Sequence, residues 1–240
     1  MCAVGFKCLE PVETPAGGVG YRPEHDLSLP GVQQKYLKMA RSGYIGGAHC
    51  GIPCTTWGSL HNGTNGGTRR RHLPLGDGTR ADEEVGNNEL TFLIKFIKAM
   101  LSGGGWVTIE HPRNSLIQHH PVVANWLKRG VLNMIVFDQC TFGLGSPPGA
   151  AEKEIWKKST MLLSTCIGFE KMAVRCDGRH AHTTIWDRIR VHGKLCSRAT
   201  LAGRYPDKLC RAYASCAHCF CHATESKPRR RSEEPPEHTA

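Results

Sequence analysis

Apolar residues recur along this chain at two alternating periods. Val32, Tyr36 and Met39/Ala40 fall on one face of a helix from about Val32 to Arg41, and Gly43 stands at the position that ends it. A β-prone run follows at 44–52. Residues 58–88 are rich in Gly, Asn, Thr and Arg and show no period, which predicts a long exposed loop. With Asn88 as a cap, Leu90, Leu93, Ile94, Ile97 and Leu101 then recur at helical spacing until Gly103-Gly104-Gly105. A strand at 106–110 comes next, then a helix opened by Pro121 that runs from Val122 to Lys128 and stops at Gly130. Strands are predicted again at Val131–Phe137 and, past a Gly/Pro loop at 143–149, at Thr160–Thr165. This β-α-β-α-β alternation implies an α/β sheet.

Composition narrows the picture. A chain of 240 residues fits one substantial domain, read as 1–223 with the loop 58–88 inside it. From about Ser226 the sequence is Lys, Arg, Ser, Glu and Pro with almost nothing to bury, so 224–240 reads as a disordered tail. The net charge of +10, from 31 Lys+Arg against 21 Asp+Glu, favours a polyanionic partner, nucleic acid first. Part of that excess lies in Arg69-Arg70-Arg71, which could track a phosphate backbone, and in Arg229-Arg230-Arg231; ordinary solvated charge explains either run equally well. No apolar stretch approaches the ~20 residues that span a bilayer. Met1-Cys2-Ala3-Val4 opens no signal peptide, so twelve cysteines point to an intracellular, reducing setting, nuclear or cytoplasmic.

The candidate chemistry sits at strand ends. The run 44–52 leads into Pro53-Cys54, and the strand from Trp106 ends in Ile109-Glu110-His111-Pro112. Carboxyl ends of parallel strands converge on the ligand crevice of an open α/β sheet, so a thiol and a carboxyl group would meet there as nucleophile and acid. His49-Cys50 is not a phosphatase loop, because Thr56 stands where the anion-binding arginine is required.

In chain order these segments resemble the cytosine-C5 DNA methyltransferases and a divergent group related to them. Pro53-Cys54 corresponds to the family's Pro-Cys motif and Glu110-His111-Pro112 to its Glu-Asn-Val motif, while Asp138-Gln139-Cys140-Thr141-Phe142-Gly143 resembles the aromatic-glycine segment after the next strand. The resemblance implies a Rossmann-like sheet, S-adenosylmethionine as methyl donor and a base turned out of the DNA duplex. Cys54 would add to cytosine C6, Glu110 would contact N3, and Pro53 would shape the loop. Glu13 and Asp26 would hold the ribose and adenine of the cofactor. The family's glycine-rich first motif has no counterpart, as though the first βα unit were missing, and His111 replaces the usual asparagine.

Metal binding is the competing chemistry, in a Cys/His-rich C-terminal region. Cys176, His180, His182 and Cys196 could hold a tetrahedral zinc, and Cys216, Cys219, Cys221 and His222 form a second set. Buried thiols and exposed histidines are the plainer explanation of both. Arg198 is a packing residue or a phosphate contact. Besides a methyltransferase, the chain could therefore be a catalytically silent nucleic-acid-binding protein or a zinc-stabilised interaction protein derived from the same fold.

Overall fold

Four strands, the central ones buried almost continuously, build the centre of the protein. The computed structural model describes residues 7–9 and 22–225. The main sheet contains β1 (Gly47–Cys50), β2 (Trp106–Pro112), β3 (Asn133–Asp138) and β5 (Ser159–Ser164), with β4 (Trp156–Lys157) just before β5. Its order is β1-β2-β5-β3. β1 lies parallel to β2, with Gly47 opposite Trp106, and β5 runs antiparallel to both β2 and β3, with Leu162 opposite Glu110 and Ile135. The strands β1, β2 and β3 thus share one direction, and their carboxyl ends share one edge.

Helices cover both faces. On one, Val107, Ile109, Met161 and Leu163 pack with α1 (Pro30–Arg41), α3 (Ala81–Ser102) and α4 (Pro121–Lys128) through Leu37, Leu93, Ile97 and Val123. On the other, Trp106, Leu162, Ile135 and Phe137 pack with Phe169, Met172, Leu209 and Ala217, the last two from α6 (Asp207–Glu225). Strands buried on both faces read as nearly continuous apolar runs, as Trp106–Ile109 does. A third cluster, Leu144, Trp156, Ile189 and Ala202, supports small pairings: β4 with β6 (Thr183–Thr184), and β7 (Arg188–Val191) with β8 (Lys194–Ser197) ahead of α5 (Arg198–Leu201).

The predicted helices and strands are present within a few residues. The sheet is mixed, because β3 leads to β5 through a 3-10 turn at Gln139–Phe142 and a loop instead of a crossover helix. The exposed loop expected at 58–88 is corrected. It contains α2 (Ser59–Thr64), and α3 begins at Ala81, not after Asn88. Arg69 organises this region. Fully buried, its guanidinium lies 3.6 Å from the centre of the buried Trp57 ring. It donates to Pro74 O (2.6 Å), Glu83 O (2.7 Å) and Asn87 Oδ1 (2.8 Å). The Glu83 carboxylate in turn accepts from the backbone N of Thr68 and Arg69 and from the Thr68 hydroxyl. The first arginine of the run is therefore a core residue; Arg70 and Arg71 remain exposed. Of the predicted tail, 226–240 lies outside the described residues, and Thr224 and Glu225 end α6. Among the described residues, no helix is long and apolar enough to cross a membrane.

Candidate active site and metal centre

Pro53 and Cys54 follow β1 in a loop held from beneath by Trp57, whose backbone N–H donates to Cys54 O (3.1 Å) and whose carbonyl accepts from Leu116 N (2.8 Å). The Cys54 thiol reaches solvent. Crowding atoms and the Glu110 charge raise its pKa, and Lys158 opposes them. Glu110, on β2, is largely buried, and its Oε1 makes no hydrogen bond; the nearest cation, Lys158 Nζ, lies 3.8 Å away. Burial raises the pKa of this carboxyl, against the pull of Lys158 and of the Tyr205 hydroxyl that faces it. The loop after β1 and the carboxyl end of β2 thus bring thiol and carboxyl into one electrostatic neighbourhood. The two ionisations oppose each other, so a protonated Glu110 favours the Cys54 thiolate.

Residues that the motifs did not mark surround this pair. His49 Nδ1 lies 3.0 Å from Thr108 Oγ1 and its Nε2 lies 3.3 Å from the Tyr205 hydroxyl; Thr108 Oγ1 is also 2.6 Å from the Tyr213 hydroxyl. Surrounding atoms hold the His49 pKa down to about 4, so the ring is neutral at pH 7. Lys158 Nζ donates to Ala202 O (3.2 Å), which turns the ammonium toward Glu110. Next to Glu110 on β2, His111 is fully buried with neither ring nitrogen bonded, and burial lowers its pKa to about 4.

Toward S-adenosylmethionine the described residues offer little. Glu13 lies outside them. Asp26 is buried between a 3-10 turn at Pro23–His25 and α1, where its carboxylate accepts from Ser28 N (2.8 Å). No described strand precedes β1, so β1 is an edge of the described sheet.

A Cys/His cluster able to hold a metal ion lies past the carboxyl end of β3. Its members are Cys140, Cys176, His180 and His182, whose donor atoms all fall within 4.8 Å of one another. Cys176 Sγ is 3.5 Å from both His180 Nε2 and His182 Nε2, His182 Nε2 is 3.3 Å from Cys140 Sγ, and the two Nε2 atoms are 2.9 Å apart. With Zn–S near 2.3 Å and Zn–N near 2.0–2.1 Å, a tetrahedron has S···N edges of about 3.6 Å and an N···N edge of about 3.4 Å. The three S···N edges, at 3.5, 3.5 and 3.3 Å, come close to the first value, and the N···N edge, at 2.9 Å, is shorter than the second. Asp138 supports the cluster by accepting from Cys176 N (2.9 Å) and Arg175 Nε (2.8 Å).

Three of the four predicted ligands are therefore together, and the fourth is corrected. Cys196 sits on β8 outside the cluster, its sulfur 3.7 Å from Lys194 O, and Cys140 takes the place expected for it. Sequence proximity to the Cys-x3-His-x-His run favours Cys196, whereas the turn after β3 delivers Cys140. In the second predicted set, Cys216 is buried in the α6 core; the side chains of Cys219, Cys221 and His222 lie outside the described residues. Arg198 is a packing residue, bound in bidentate fashion to Glu154 at 2.8 and 2.6 Å.

Comparison with known protein families, curated proteins and solved structures finds no match to this chain.

Proposed function

We propose that this protein carries a cytosine-directed covalent site of the DNA methyltransferase type on a Rossmann-like sheet, with Cys54 as nucleophile and Glu110 as acid. The observation that carries the reading is a buried, protonation-prone carboxyl electrostatically coupled to an accessible thiol at the carboxyl ends of parallel strands. The Cys54 thiolate adds to C6 of a base displaced from the stack and forms an S–C6 bond. Glu110 donates to N3 and takes up the charge that addition places on the ring, which leaves C5 nucleophilic. Collapse in the reverse sense returns the thiolate and restores the ring. The partner is DNA, in keeping with the +10 net charge. S-adenosylmethionine is the donor that the resemblance implies, although the described residues do not form its floor.

Trapping on a 5-fluorocytosine oligonucleotide in the presence of S-adenosylmethionine tests the whole reaction, since fluorine at C5 blocks release of the enzyme. A denaturation-resistant adduct with wild-type chain and none with Cys54→Ala supports the reading. Absence of any adduct while DNA still binds leaves the catalytically silent nucleic-acid-binding protein in its place.

A second proposal concerns the metal. A donor set of two thiols and two imidazoles, gathered within 4.8 Å, suits a four-coordinate structural Zn(II). Elemental analysis giving one zinc per chain supports this, and a chain that carries none contradicts it.

A further inference from the structure

One residue, Lys158, connects the metal cluster to the Cys54–Glu110 site. Lys158 follows β4 directly, and β4 is held by β6, which begins at Thr183, the residue after His182. From the other side Gln139 N, next to Cys140, donates to Lys158 O (2.9 Å). Thr183 N also donates to Ile155 O (2.9 Å). Two of the chain segments that grip the 155–158 backbone therefore leave directly from a cluster residue, beside a third at 144–146, where Leu144 O accepts from Trp156 N (3.1 Å). A pairing of two-residue strands is too short to persist unaided in water. The Lys158 ammonium emerges from this grip 3.8 Å from Glu110 Oε1 and within electrostatic reach of Cys54.

Resting on the zinc occupancy proposed above, we infer that the metal is the positioning element of the Cys54–Glu110 site: by clamping the Gln139–Cys140 turn and the His182–Thr183 segment, it holds Lys158 against Glu110 and so sets the reactivity of Cys54. Lys158 is a positioning residue in this scheme, because its charge acts on Cys54 and Glu110. Metal loss lets β6 leave β4, and the ammonium then moves into solvent, where water screens it. Among the described residues, Lys158 is the cation whose charge favours ionisation of the thiol, and the thiol then loses it.

The test uses the full chain with zinc and after chelation, and needs neither nucleic acid nor methyl donor. Iodoacetamide labelling of Cys54 at about pH 7.5, where only a small fraction of an ordinary thiol is ionised, is followed peptide by peptide. Zinc content and backbone hydrogen exchange are measured on the same samples. Chelation is expected to slow Cys54 labelling about three- to tenfold, the effect of raising a thiol's titration by roughly half to one pH unit. Lys158→Met with zinc bound is expected to show the same loss and no further loss on chelation. Protection should fall at 155–158 and 176–184 while β2 keeps its own.

Labelling that is unchanged or faster after zinc leaves overturns the inference while zinc occupancy stands, and so does a full chelation effect in Lys158→Met. General loss of protection, β2 included, overturns it too, because the metal would then hold the fold and not this contact. A chain that never carries zinc removes the zinc proposal itself.

Discussion

Replacing Cys140 by serine and, separately, Cys196 by serine distinguishes the two candidate fourth ligands of the metal centre. The sequence points to Cys196 beside Cys176, His180 and His182, but of the two thiols only Cys140 Sγ lies within ligand range, 3.3 Å from His182 Nε2. Structural zinc in small protein sites binds with about 10–16 kcal/mol near neutral pH, or roughly 3 kcal/mol for each of four ligands. Serine keeps the size of the side chain and withdraws the thiolate, so Cys140→Ser is expected to weaken zinc by about a hundredfold, the equivalent of roughly 3 kcal/mol. Cys196→Ser removes a sulfur that sits against Lys194 O at 3.7 Å, outside the cluster, and should leave affinity unchanged. Competition with a chromophoric zinc chelator measures both. Equal weakening by the two substitutions, or weakening by Cys196→Ser alone, would refute the assignment of Cys140.

Two further outcomes follow from buried ionisable groups. Glu83→Gln weakens the carboxylate acceptor of the Thr68 and Arg69 backbone N–H groups and removes the largest of the acidic charges acting on the buried Arg69 guanidinium; it should cost about 1–3 kcal/mol, seen as a lower urea midpoint with an unchanged slope. His111 has a folded pKa of about 4 against 6.5 when unfolded, so the unfolded chain binds the extra proton first; its contribution is complete above about pH 6.5 and is lost as pH falls toward 4. The loss reaches up to about 3 kcal/mol over that window. His111→Leu should therefore flatten the decline in stability between pH 6.5 and 4 measured by urea unfolding, and an unchanged decline would show that His111 is not the group responsible.

Much of the fold is legible because its signal is local. Leu90, Leu93, Ile94 and Ile97 repeat at helical spacing, and Trp106–Ile109 is nearly all apolar, as a strand covered on both faces must be. The position of β5 between β2 and β3 is not legible, since strand order depends on pairing between distant segments. Arg69 escapes the sequence for a similar reason. Three consecutive arginines look alike in sequence, and the Trp57 ring with the acceptors at Pro74, Glu83 and Asn87 selects the first for burial.

The site divides in the same way. Cys54 and Glu110 stand out because each ends an apolar run beside a proline-containing turn. Lys158, His49 and Tyr205 carry no motif, and their importance comes from approaching Glu110 or one another across the fold. Cys140 does carry a usable signal. It follows the end of a predicted strand by three residues, the kind of position where a sheet collects its functional groups.

The nucleophile and acid assignment can be examined without any methyl donor. Addition of a thiolate to C6 makes the cytosine C5 hydrogen exchangeable with solvent, and elimination then returns the base unchanged apart from its isotope. Incubating a cytosine-containing oligonucleotide with the chain in heavy water, and reading C5 deuterium by mass spectrometry, measures that step alone. Deuterium should enter with wild-type protein, fall to background with Cys54→Ala, and drop at least about tenfold with Glu110→Gln, which cannot supply an acidic proton. Incorporation that persists undiminished in Cys54→Ala, or none at all with wild-type chain bound to the DNA, would contradict the account.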